Sequence, residues 1–286
     1  MAGCLDAKKI DSFRRDGFLF PVRVAEAECA AGWRAEIEEL EDRWRDDPSL
    51  PRPFVDYVRA NFHLVSATAA RIGHDAGILD AVESLIGPDI LCWMCELIVK
   101  EPRSTKVLTM HQDLTYWGLD GADGLVTAWL ALSDATSENG AMRFVPGSHH
   151  AGQVEHHDTY GEDNLLSRGQ EIAVAVDADE MVDVELSAGE MSLHHGHMVH
   201  GSGPNTTDDR RVALVFRFMS PDVRQTVSAE DFAMTVRGAN RSNAVHSTAA
   251  PFDDFSPASL ALHARVSAAQ DSALAEGASG QLSYAR

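Results

Sequence analysis

A mainly β fold of the sandwich or barrel type, flanked by helices, is what this sequence predicts. Short strand-like segments follow one another from Ile90 onward, separated by turn clusters. The first ninety residues instead carry helical periodicity, and 286 residues with 44% hydrophobic content can bury one substantial core. One domain over 1–286 is expected, with 1–89 a mainly helical support, 90–220 the β core and 221–286 a C-terminal extension.

The clearest helix is Ala25–Arg45, where Trp33, Ile37, Leu40 and Trp44 recur at spacings of four, three and four and so share one apolar face. Pro48, Pro51 and Pro53 break the pattern, and Asp75–Ile86 reads as a second amphipathic helix that stops at Gly87 and Pro88. The strand-like segments are Ile90–Val99, Val107–Gln112, Leu125–Leu132, Ala141–Val145, Glu171–Val176, Val182–Leu186, Glu190–His200 and Arg211–Met219. Val182, Val184 and Leu186 alternate with Asp183 and Glu185, which makes one face core and the other wet. Gly152–Gly169 has no period and many charges, so it is expected to be a long loop or lid. The last thirty residues, rich in Ala, Ser and Gln, are expected to form a helix with a frayed end.

Charge and cysteine usage bound the partners. A net charge of −20, from 44 acidic against 24 basic residues, repels phosphate-rich polymers and argues against nucleic acid. Met1–Ile10 holds Asp6, Lys8 and Lys9 and lacks the apolar centre of a signal peptide, and no apolar run reaches the ~18 to 20 residues that span a bilayer. The expectation is a soluble, cytoplasmic protein with a small-molecule substrate. Cys92 and Cys95 form a CxxC without a second pair, and they sit inside an apolar strand, so they read as core packing.

Thirteen histidines are unevenly spread. Residues i and i+2 of a strand share a face, so His111 and Asp113 can present an imidazole and a carboxylate to one point, with a third ligand from a distant strand. Two imidazoles and one carboxylate on one side of an ion leave positions open, as non-haem iron(II) needs. His156 and Asp158 have the same spacing but lie in the polar loop region, where no strand is expected to hold them on one face. Spacing alone does not choose between the pairs. His195 and His197 form a further His-x-His, of opposite parity to His200 on an uninterrupted strand.

The segments Met110–Asp113, Val126–Leu132, Asn139–His149 and His200–Asn205 followed by Arg211 resemble the phytanoyl-CoA dioxygenase family in order and gaps, over about Asp11 to Met219. The resemblance implies a double-stranded β-helix (jelly roll, cupin-like) with flanking helices. It implies Fe(II) held by His111, Asp113 and His200, with 2-oxoglutarate and O2 as co-substrates. Arg211 is then matched to the distal carboxylate of 2-oxoglutarate, with Ser202 hydrogen-bonding nearby. A planar guanidinium suits that role because it grips a carboxylate through two parallel hydrogen bonds. If Arg211 points inward, so do Ala213, Val215 and Arg217, while Arg210, Val212, Leu214, Phe216 and Phe218 face outward.

The implied reaction is hydroxylation of an unactivated C–H of a small metabolite, with release of succinate and CO2. Desaturation, cyclisation or epoxidation would use the same oxidant. Related halogenating enzymes replace the carboxylate ligand by a small residue, and Asp113 argues against that. A 2-oxoglutarate-independent cupin dioxygenase and a non-catalytic metabolite-binding jelly roll are the rivals of other kinds. Tyr116 and Trp117 lie close enough to the His-x-Asp pair to reach the pocket mouth as substrate contacts. The 152–169 segment has Arg168 against Glu155, Asp158, Glu162 and Asp163, and no Lys/Arg cluster lies elsewhere along the chain. A neutral or amine-bearing substrate is therefore expected in preference to a CoA ester.

Overall fold

The computed structural model describes residues 4–161, 163–173, 176–276 and 278. Seven strands make the larger sheet, in the spatial order Phe18–Arg23, Glu190–His195, Leu125–Ala131, Arg211–Met219, Ile90–Lys100, Asp231–Arg237 and Val245–Thr248. Leu108–His111, His200–Ser202, Met142–Phe144 and Val182–Val184 make the smaller one. The two sheets form a jelly roll, and the helices cover the outer face of the larger sheet.

Alternation along the strands sorts residues into two cores. Val212, Leu214, Phe216 and Phe218 pack outward against Trp33, Ile37 and Leu40 of the Ala27–Trp44 helix and Ile78 and Val82 of Ala76–Ile86. Ala213 and Val215 point inward and pack with Ile98, Trp129 and Phe144 between the sheets. The Ala76–Ile86 helix begins where Asp75 Oδ1 accepts from Gly77 N at 2.8 Å and ends at Gly87, whose φ of 89° suits glycine.

Several expectations are corrected. Phe18–Arg23 is a strand inside the supposedly helical support; Pro21 cannot donate to a ladder, and the strand takes the sheet edge, where that loss is tolerated. Glu190–His200 is two strands, Glu190–His195 and His200–Ser202, in different sheets, separated by a turn in which Met198 N donates to His195 O at 2.8 Å. The 152–169 loop contains the strand His156–Asp158, paired with Gln170–Ile172. Val174 and Ala175 of the expected Glu171–Val176 strand lie outside the described residues, as does Glu162 of the loop. Asp231–Arg237 and Val245–Thr248 carry the sheet past the expected 90–220 core. Pro257–Leu274 is the expected C-terminal helix, and its expected frayed end falls largely outside the described residues. Among the described residues no helix is long and apolar enough to cross a membrane.

Candidate metal centre

His111 and His200 are direct partners across adjacent antiparallel strands of the smaller sheet, with ring centroids 4.2 Å apart. The strand bearing His111 ends there, and Asp113 opens a short 3-10 helix, Asp113–Tyr116. Asp113 therefore reaches the site from a turn, which corrects the shared-strand-face argument. That turn is fixed by the turn that ends the strand Glu190–His195. Leu114 N donates to Gly196 O at 3.1 Å, and a Cβ at Gly196 would meet the Leu114 side chain at 2.5 Å, so glycine permits the close approach.

The three side chains converge. Nε2 of His111 is 3.8 Å, and Nε2 of His200 4.0 Å, from Asp113 Oδ1. His111 Nδ1 lies 2.8 Å from Thr109 O and His200 Nδ1 2.9 Å from Met198 O, contacts that put the proton on Nδ1 and leave both Nε2 lone pairs facing the carboxylate. One donor atom of each of the three lies within 4.8 Å of the others, and all three residues are buried. Burial, with each other's proximity, pushes His111 down to about 3, and burial with His194 nearby pushes His200 down to about 4, so both imidazoles are neutral at pH 7. Burial alone would raise the Asp113 carboxyl, but Arg217 and the His194 contact outweigh it and hold it well below the usual range. Neutral imidazoles and an ionised carboxylate are the donor state a divalent cation requires.

A row across the larger sheet supports Asp113. His194 and Arg217 are each the register partner of Thr127. Thr127 Oγ1 donates to Asp113 Oδ2 at 2.8 Å, His194 Nε2 is 3.3 Å from the same oxygen, and Arg217 Nη2 is 3.8 Å from Oδ1. Arg217 also pairs with Glu96, so this inward-facing charge is engaged with two carboxylates. Thr127 and His194 escaped the sequence reading. The available signal was alternation: Met191 and Leu193 pack outward, which turns His194 inward.

Arg211 and Ser202 line the same cavity as His111, Asp113 and His200. Arg211 is 1% exposed, lies 5.1 Å from the Trp129 ring, and donates from Nη1 to Gly140 O. Arg210 points outward to Glu38, Glu41 and Glu101 at 2.9 to 3.1 Å, as parity requires. Trp117 lines the cavity beneath Arg217, whereas Tyr116 packs under Arg168, 4.1 Å from ring to guanidinium, and is absent from the lining.

The second His-x-Asp is held on a strand after all, but its members are engaged elsewhere. His156 Nε2 accepts from Gln112 N at 3.0 Å, and Asp158 pairs with Arg168, whose Nε is 2.9 Å away. His195 and His197 line a different cavity, and His195 Nε2 lies 3.5 Å from Asp123. Cys92 and Cys95 are free and buried, with thiols that burial pushes up, as core packing implies. The premise for a neutral or amine-bearing substrate does not hold: residues far apart in sequence, Arg59, Arg211 and Arg217, line one cavity.

A jelly roll with two buried histidines and one aspartate converging at its centre has the donor set of the non-haem iron oxygenases. The chain belongs to the phytanoyl-CoA dioxygenase family, whose profile matches residues 13–213. It is 29% identical over 160 residues to a probable phytanoyl-CoA dioxygenase of Caenorhabditis elegans, a match covering 54% of this chain and 51% of that protein. The chain thus spans about half the length of the curated relatives it matches. Among solved structures, the apo form of the non-haem monooxygenase ThoJ is 36% identical, with a TM-score of 0.83 and coverage of 93% of this chain and 97% of that one. The epimerase SnoN, solved with Fe3+, alpha-ketoglutarate and nogalamycin RO, is 26% identical, with a TM-score of 0.61 and coverage of 76% and 84%.

Proposed function

We propose that this protein is an Fe(II)- and 2-oxoglutarate-dependent dioxygenase that hydroxylates an unactivated C–H of a small metabolite in the cytoplasm. The observation that carries the reading is one buried cavity holding two neutral imidazoles, an ionised carboxylate and, at the Arg211 end, a buried cation. His111, Asp113 and His200 hold the metal. Arg211 and Ser202 hold the distal carboxylate of the co-substrate. When bound, iron and 2-oxoglutarate supply a strong oxidant, with decarboxylation to succinate and CO2 as its source. The chain's own task is placement: Thr127 and His194 keep Asp113 oriented, and the apolar walls Ile98, Leu108, Met142 and Val215 keep water from the reacting C–H. Trp117 is the substrate contact favoured by position. Four free cysteines agree with the cytoplasmic assignment.

A second outcome of the same oxidation is favoured by SnoN, which is named an epimerase. Incubating the iron-loaded protein with 2-oxoglutarate, oxygen and a metabolite panel tests both. Substrate-dependent succinate with a product one oxygen atom heavier is expected. A product of unchanged mass would favour epimerisation, and absence of any 2-oxoglutarate turnover across the panel, together with no iron binding, would overturn the reading.

A further inference from the structure

Lys100 is a residue that neither the fold nor the metal centre explains. It ends the strand Ile90–Lys100, where alternation turns Met94, Glu96 and Ile98 into the cavity and Lys100 with them. Its register partner is Arg211. Lys100 is 0% and Arg211 1% exposed, and among the described residues no carboxylate lies within ion-pair distance of either. The two basic heads meet at Gly140. Arg211 Nη1 donates to Gly140 O, and a Cβ on Gly140 would lie 2.9 Å from Lys100 Nζ, so the glycine leaves room for both. Lys100 Nζ donates to Ser202 Oγ at 2.6 Å and to Gly203 O. Ser202 lines the cavity and Lys100 stands behind it.

A buried guanidinium and a buried amine with no carboxylate beside them are costly to keep charged, and an anion bound between them would offset that cost. The hydrogen bond has a further consequence. With Lys100 donating to its oxygen, the Ser202 hydroxyl has its own hydrogen free to donate into the cavity.

We propose that Lys100 is a positioning residue for the co-substrate: it fixes Ser202 as a donor to the distal carboxylate of a 2-oxo dicarboxylic acid and supplies, with Arg211, the second positive charge of that subsite. This rests on the reading of the protein as a 2-oxoglutarate enzyme. Protonation gives the subsite a pH dependence. Burial first, and Arg211 second, push Lys100 down to about 6, so without an anion the amine is largely neutral at pH 7. A bound dicarboxylate raises that value, so the proton enters with it. Affinity is then greatest below about pH 6 and falls about tenfold per pH unit above it, until the bound-state value is passed. The groups facing Lys100 are Arg211 on the neighbouring strand, with Arg59 acting on Arg211, Ser202 and Gly203 O after His200, and the Gly140 turn; none of them carries a titratable acid.

The test is calorimetric titration of the Mn(II)-loaded protein with 2-oxoglutarate and with 2-oxovalerate, which has the same chain length and no distal carboxylate. Lys100→Met is expected to cut the preference for the dicarboxylate by about ten- to a hundredfold and leave 2-oxovalerate binding unchanged. Lys100→Met in a Ser202→Ala background is expected to do much less, since the two act as a unit. In the unaltered protein, the preference should fall as pH is raised from about 6 to about 8, the metal ligands' own titration cancelling between the two acids. A preference that is flat with pH, or a Lys100→Met protein that keeps it within about twofold, overturns the role of Lys100. Failure of the unaltered protein to bind 2-oxoglutarate at all would instead overturn the assignment of function beneath it.

Discussion

Asp113 is held by one oxygen and offered by the other. Oδ2 takes the Thr127 hydroxyl and faces His194, which leaves Oδ1 toward the two Nε2 atoms. Thr127→Val keeps the shape and removes the donor, so the carboxylate loses its orientation; metal affinity measured by chelator competition should fall about ten- to a hundredfold. Asp158→Ala offers the contrast. It strips Arg168, a buried side chain, of its ion-pair partner and should lower unfolding free energy by about 3 to 5 kcal/mol in a denaturant titration. Metal affinity should not change, and loss of the metal in that variant would sink the ligand assignment. The residues at which motifs converge, His111, Asp113, His200 and Arg211, were legible because several separated segments matched in order. Thr127, though inside the matched segment Val126–Leu132, and His194, outside the matched segments, were not, because the carboxylate each meets, that of Asp113, is brought to it by strand register and packing.

At the scale of elements, the strand Arg211–Met219 shows how far period-two alternation carries. Its inward and outward sets, and with them the opposite fates of Arg210 and Arg211, follow from the sequence once one residue is oriented. Arg211→Ala should weaken 2-oxoglutarate binding by about 2 to 5 kcal/mol in calorimetry. Arg210→Ala should leave that binding unchanged and cost about 1 kcal/mol of stability, since Glu38 and Glu101 are partly solvated and the buried Glu41 keeps its pair with Arg45. The reverse ranking would mean that the parity is inverted. Strands whose existence depends on a distant partner were harder to read. Phe18–Arg23 carries a proline and pairs with a segment more than 160 residues away, and the break at Gly196 is set by packing against Leu114, which the local sequence does not encode.

Charge is segregated across the whole molecule. The chain carries −20 overall, yet Arg59, Lys100, Arg211 and Arg217 are buried around a centre that holds only Glu96 and Asp113 as carboxylates among the residues named for it. Composition described the exterior correctly and was misleading about the interior, because strand register gathers basic side chains that lie 6 to 158 residues apart in sequence. The segregation has a kinetic consequence for an anionic co-substrate. It must first cross the repulsive field of the surface, which at about 10 mM salt extends roughly 30 Å and at about 150 mM only roughly 8 Å. The buried cations are shielded from bulk ions and change little over that range. Stopped-flow association of 2-oxoglutarate with the metal-loaded protein should therefore speed up by roughly two- to tenfold as salt rises, with dissociation almost unaffected. If association slowed instead, the field at the cavity mouth would be positive, and the interior cations, not the acidic surface, would govern approach.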